Sequence, residues 1–220
     1  MKTFYAVGVL AMAAASAWAQ GTVTFQNGGL TFPTPANRYV YAFGPVGPGD
    51  ATDAARRLVG TNFCAGLWYV QGAGNGAQLA NGRGGVQALN SITTSSSLFN
   101  FRVPTTADAN KGTWLPVGGN SFVLAGVEAG QSATLQVRVW DWTTYGRSEA
   151  GYLAALAAGD RVGWSTPFDY TVPAPGSTPD KYYMDNFRAM ASPTIPEPST
   201  LVLGALCAGS ILVWRRRKNS

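Results

Sequence analysis

The run ATLQVRVWDW at 133–142 changes character at every second residue, and this period constrains the fold more than any other feature of the chain. Leu135, Val137 and Val139 fall on one side of an extended strand, and Gln136, Arg138 and Trp140 fall on the other. The same two-residue period opens the segment GTVTFQN, where Val23 and Phe25 alternate with Thr22, Thr24 and Gln26. Strand-like runs follow at YVYAF from Tyr39, FCAGLWYV from Phe63, LFNFRV from Leu98, NSFVLAG from Asn120, RVGWSTPFDYTV from Arg161 and DKYYMDNFRAM from Asp180. Between them lie the turn-forming clusters GPVGPGD, NGRGG, PVGGN, EAGQS and APGSTPD. Seven to nine short strands predict an all-β fold, an antiparallel β-sandwich of jelly-roll or immunoglobulin-like type. One short helix is expected at 148–158. Glu149 lies near its start, Leu153 and Leu156 share a face, and Gly159 ends it. The Gly-, Asn- and Ser-rich stretch 71–97 reads as a long surface excursion.

The two ends do not belong to that fold. Residues 1–19, MKTFYAVGVLAMAAASAWA, place Lys2 before an apolar run and close on the small-x-small site Ala17-Trp18-Ala19. That order predicts a secretory signal peptide, cleaved before Gln20. The other end reads IPEPSTLVLGALCAGSILVWRRRKNS. Pro196 and Pro198 break preceding structure. Residues 199–214 are uncharged and predict a transmembrane helix of roughly 24 Å, short of a ~30 Å hydrocarbon core. Arg215, Arg216, Arg217 and Lys218 then form a basic stop that stays cytoplasmic. The expected division is signal peptide 1–19, β-sandwich domain 20–192 and C-terminal signal 193–220.

The ends also explain the charge. The net charge of +5 equals the contribution of Lys2, Arg215, Arg216, Arg217 and Lys218, so the remaining basic and acidic residues balance. A nucleic-acid partner loses its electrostatic basis. Only 12% of residues are charged, against ~25% in an average domain, which fits an extracellular β domain.

Pro196, Glu197, Pro198, Ser199 and Thr200, followed by an apolar helix and a basic cluster, resemble the PEP-CTERM sorting signal, with Ile195 where that family usually has Val. The resemblance implies recognition by an exosortase, a membrane-embedded cysteine transpeptidase-like enzyme. It implies anchorage in the inner membrane before processing, then delivery to the cell surface or exopolysaccharide matrix. The succession GTVTFQN, GTNFCAGLWYV, GVEAGQSATLQVRVWDW and STPFDYTV is similar to a group of small PEP-CTERM surface proteins with sandwich domains.

For the body, the sequence favours a non-enzymatic role. Histidine is absent, which excludes His-based triads, metal sites and acid–base work. Cys64 reads as a small buried hydrophobe and Cys207 as a residue of the tail helix. A glycosidase would need two facing carboxylates. Asp141 and Asp169 are the candidates, with turn caps as the plainer reading. Asp50 and Asp53 lack EF-hand spacing, NGRGG lacks a phosphate-loop ending, and no cofactor or metal is expected. The alternative function is carbohydrate binding by exposed aromatics. Trp140, Trp142 and Tyr145 are the candidate sugar contacts, since Trp140 and Trp142 lie opposite Val137 and Val139 and at least one is expected to be exposed.

Overall fold

The computed structural model describes residues 20–28, 38–42, 56–91, 99–100, 110–114, 119–188 and 190–191. The expected signal peptide at 1–19, the sorting segment with the helix expected at 199–214, and Asp50, Asp53 and Cys207 lie outside the described residues.

The described chain is mostly β, with two antiparallel sheets and few helices. Its strands are β1 (Gly21–Thr24), β2 (Val40–Tyr41), β3 (Phe63–Gln71), β4 (Val86–Gln87), β5 (Leu89–Asn90), β6 (Phe99–Asn100), β7 (Ser121–Leu124), β8 (Ser132–Asp141), β9 (Val162–Trp164), β10 (Phe168–Thr171) and β11 (Met190–Ala191). The smaller sheet has the order β1-β7-β5. The larger runs β10-β8-β3-β4, with β6 also on β3 and β9 also on β8. A parallel pair, β11 with β2, stands apart. Two helices, α1 (Trp142–Tyr145) and α2 (Glu149–Ala158), follow β8.

The two-residue period places side chains as expected, but at the β3–β8 centre of the larger sheet neither face is left to water. Val23, Phe25, Phe122 and Leu124 from the smaller sheet share one apolar core with Ala65, Leu67, Leu135, Val137 and Val139 from the larger. On the opposite face Cys64, Trp68 and Trp140 form a second core with Leu79, Tyr152, Ala155 and Val162. The polar side chains on this face are covered as well. Gln136 is 0% and Arg138 1% exposed. Cys64 is buried within this second core, and burial pushes its thiol pKa up.

The cover comes from two elements. Helix α2 has Ser148 as its N-cap, with the hydroxyl accepting from the Gly151 N–H at 3.1 Å, and it ends on Gly159 in the left-handed conformation. Its buried residues are Gly151, Tyr152 and Ala155, whereas Leu153 is exposed. Tyr152, not Leu153, turns inward because its ring packs on Trp68 (5.3 Å) and Trp140 (5.4 Å), and Leu156 packs partly buried against the same core. The second element is the 3₁₀ segment Gly76–Gly82, which buries Leu79 and Gly82. The stretch expected as a surface excursion therefore acts in part as a lid over the sheet, and it continues into β4 and β5. Those two short strands join different sheets at one edge.

Two other expectations change. The strand expected from Asp180 is a 3₁₀ turn, Pro179–Tyr182, reaching β11 only at its end. The strand expected from Arg161 is two strands, β9 and β10, separated at residues 165–167.

Candidate functional site

That break builds the most distinctive site of the described surface. Strands β9 and β10 pair successive stretches of β8: Trp164 lies opposite Arg138, and Phe168 lies opposite Leu135. Three residues, Ser165, Thr166 and Pro167, therefore stand opposite only two, Gln136 and Val137. Pro167 has no N–H to donate to a ladder. Ser165 repairs the interruption. Its N–H donates to the Val137 carbonyl at 2.9 Å, and its hydroxyl accepts from the Val137 N–H at 3.1 Å. The Gln136 amide donates to the Ser165 carbonyl at 3.0 Å. Every one of these groups is buried, so each bond answers a desolvation cost. Such bulges re-aim side chains at strand edges. Here Trp164 is 36% exposed and Thr166 is exposed.

Facing the bulge is the 3₁₀ segment. It is interrupted at Ala80 (φ −57°, ψ 142°) and at Asn81, which adopts the left-handed conformation (φ 57°, ψ 29°). Asparagine tolerates that region better than most residues. Gly82 follows with φ 70°, and a Cβ there would lie 2.8 Å from the Trp164 indole and would collide with the Tyr152 hydroxyl. Bonds from α2 and from β8 hold this segment down. The Tyr152 hydroxyl donates to the Gly82 carbonyl at 2.7 Å. The Arg138 guanidinium donates to the Gly84 carbonyl at 2.7 Å and to the Gln136 side-chain oxygen at 2.9 Å.

Arg138 is a buried cation with no carboxylate at bonding distance among the described residues. It stacks instead on Trp68 (4.6 Å) and Tyr152 (5.2 Å). Gly66, directly opposite it in the ladder, lets the Trp68 ring lie across the strand, where a Cβ would come within 2.6 Å of that ring. Burial lowers the Arg138 pKa to about 10, so it remains charged at neutral pH. Burial also raises the Tyr152 hydroxyl to about 12, keeping it protonated as a donor.

Between the segment and the bulge lies an open cleft of about 510 Å³, within the range of small-ligand sites. Leu79, Asn81, Gln136, Trp164, Thr166 and Pro167 line it, and no charged side chain does. A second opening of about 430 Å³ lies across the segment near Gln78 and Val86. Its aromatic residue, Tyr69, is buried, and the Tyr69 hydroxyl already donates to the Ala125 carbonyl at 3.0 Å.

The aromatics expected to contact sugar are placed differently. Trp140 is 0% exposed, with its indole N–H donating to the Gly146 carbonyl at 2.9 Å, so it presents no free face. Trp142 begins α1 and is half-buried. Its indole N–H donates to the Thr61 carbonyl at 2.6 Å, and the Arg147 guanidinium covers its ring at 3.7 Å. The Tyr145 hydroxyl donates to Asp160 at 3.0 Å. These three cluster at the end of β8, and the cleft lining includes none of them.

The two carboxylates are not partners either. Asp141 ends β8, and Asp169 lies opposite Thr134 in the same strand, roughly 23 Å away at strand rise. Asp141 caps α1, accepting from the Thr143 N–H at 2.9 Å and from Arg161 at 2.7 Å. Asp169 accepts from the Thr134 hydroxyl at 2.8 Å and the Gly74 N–H at 3.0 Å, fastening the turn after β3. Both fit the plainer reading of turn caps.

The sorting residues 196–200 and the basic stop 215–218 lie outside the described residues, but sequence comparison reaches them. Residues 194–218 match the family model described as the PEP-CTERM protein-sorting motif. No curated protein and no solved structure matches the chain. The chain thus carries the signal of an exported protein that an exosortase processes.

Proposed function

From that motif we propose that this chain is a non-enzymatic surface or extracellular-matrix protein, delivered by an exosortase acting on its C-terminal segment. In this reading residues 1–19 direct export. Residues 199–214 hold the chain in the inner membrane until processing, and Arg215 to Lys218 keep the end of the chain inside. Residues 20–192 are the cargo, a β-sandwich supported by the core that the two sheets share. The observation that carries the reading is the match at 194–218. The separate structural duties of Asp141 and Asp169 favour a non-catalytic body.

The test is made in the producing cells. Replacing Glu197 with Ala, or deleting 215–218, is expected to leave a larger, membrane-retained form, followed by immunoblot of cell fractions. Unchanged size and location after both changes would overturn the proposal. A second reading, that the body holds polysaccharide, is favoured by the cleft beside Trp164, whose lining joins an exposed aromatic ring to uncharged polar groups.

A further inference from the structure

Building on that second reading, we infer that the cleft between the 3₁₀ segment and the strand bulge is a saccharide-binding site for an uncharged glycan segment, with Trp164 as its platform and Asn81 and Thr166 as polar contacts. Five tryptophans lie among the described residues. Four have their indole N–H groups engaged internally. Trp68 donates to Glu149, Trp114 to the Phe25 carbonyl, Trp140 to the Gly146 carbonyl and Trp142 to the Thr61 carbonyl. Each of the four also makes a ring contact with another aromatic or with an arginine. Trp164 does neither among the described residues, and it is the one lining the cleft. A large ring with an uncommitted donor suits a ligand that is apolar on one face and hydroxylated at its edge.

The neighbouring groups continue that chemistry. Neither the Asn81 amide nor the Thr166 hydroxyl has a hydrogen-bond partner among the described residues, and both are exposed at the cleft. An amide supplies donor and acceptor together, and a hydroxyl does the same. That mixture matches sugar hydroxyls, which also both donate and accept. The left-handed backbone of Asn81 is fixed by the bonds from Tyr152 to Gly82 and from Arg138 to Gly84, so the platform and the amide belong to one braced unit. Preorganisation of this kind lowers the ordering cost of binding.

Charge selects the class of glycan. The lining holds no Asp, Glu, Lys or Arg. The nearest buried cation, Arg138, spends its N–H groups on Gln136 and Gly84 and lies among Trp68 and Tyr152. A uronic acid or phosphate would enter without an ion-pair partner and lose its hydration. A neutral sugar has no such cost.

The experiment uses the full chain, purified in detergent, on an array of neutral and acidic oligosaccharides, with fold checked by near-ultraviolet circular dichroism. Binding to neutral members is expected. It should weaken roughly tenfold or more in Trp164→Ala. Asn81→Gly keeps the left-handed backbone while removing the amide, and is expected to weaken binding about threefold to tenfold. Trp142→Ala, away from the cleft, should bind as the parent does. If Trp164→Ala loses its fold, Asn81→Gly and Thr166→Val carry the test. Binding that survives these changes but fails in Trp142→Ala would leave a glycan-binding protein and overturn this site. Preference for acidic members would overturn the neutral assignment. No binding to any glycan would overturn both the inference and the reading beneath it.

Discussion

At the scale of single residues, Asp141 shows how one side chain at a strand end serves the fold. Burial works to raise its pKa, but hydrogen bonds from the Thr143 hydroxyl, Arg161 and the Thr143 and Thr144 N–H groups outweigh it, holding the carboxyl below its ordinary range. A carboxyl depressed in the folded state contributes stability above its unfolded pKa, and loses it as pH falls through the folded value. Thermal unfolding between pH 7 and pH 2 should therefore show a gap between the parent and Asp141→Ala at neutral pH, about 1–2 kcal/mol for a lost cap, narrowing in acid. The Arg161 side chain is 45% exposed, so its ion pair adds little beyond the cap. A gap that stays constant with pH would contradict the assignment. The cap was legible in the sequence as an Asp closing a strand. The burial of Trp140 was not, because alternation says which side a residue faces and nothing about what later covers that side.

At the scale of elements, the decisive arrangement is a sheet covered twice. Polar residues on alternate positions of one sheet face, as Gln136 and Arg138 are, usually meet water. Here the 3₁₀ segment and α2 roof that face, and Arg138 ties the roof to the sheet. Arg138→Ala would leave the Gly84 carbonyl and the Gln136 oxygen without their donor and open a gap against Trp68. A loss of about 3–5 kcal/mol in denaturant unfolding is expected. Amide exchange should quicken within 76–85 more than in the main core. Uniform change across both would argue that Arg138 does not fasten the segment. The roof could not be read from NGRGG and its flanks, since glycine-rich composition signals turns whether they stand off the surface or lie on it. The helix was legible from its caps, Ser148 and Gly159. Its inward face was not, because Tyr152 outweighs Leu153 through partners distant in sequence. The run from Arg161, expected as one strand, breaks at residues 165–167, where Pro167 has no N–H for a ladder, and Trp164 ends β9 beside that break.

At the scale of the whole molecule, address and body separate cleanly in the sequence. The tail was recognisable because its signal is local: a Pro-Glu-Pro sequence, an apolar run and four basic residues in order, matched at 194–218. The body was legible as β structure and not as a site, because its cleft joins residues from 76–82 and 164–167 that only the fold brings together. The charge distribution yields a direct prediction. A form lacking residues 1–19 and 215–218 has lost the five residues equal to the net charge of +5. It should elute from a cation exchanger at clearly lower salt than the unprocessed chain. Equal retention of the two forms would place the excess charge in the body instead.

The parallel pair β11–β2 has a mechanical consequence. Met190 and Ala191 are the last described residues before the sorting motif, so a pull applied through the C-terminal segment reaches β11 first. There it meets a strand aligned with β2, a methionine 4% exposed, and, three residues earlier, Phe187 wedged against Trp114 and Phe168 at 5.8 Å each. Tension along a parallel pair loads its bonds together, whereas peeling would break them singly. A body tugged by its tail would resist at this clasp before the load passes to β9, which β11 contacts and which ends on Trp164.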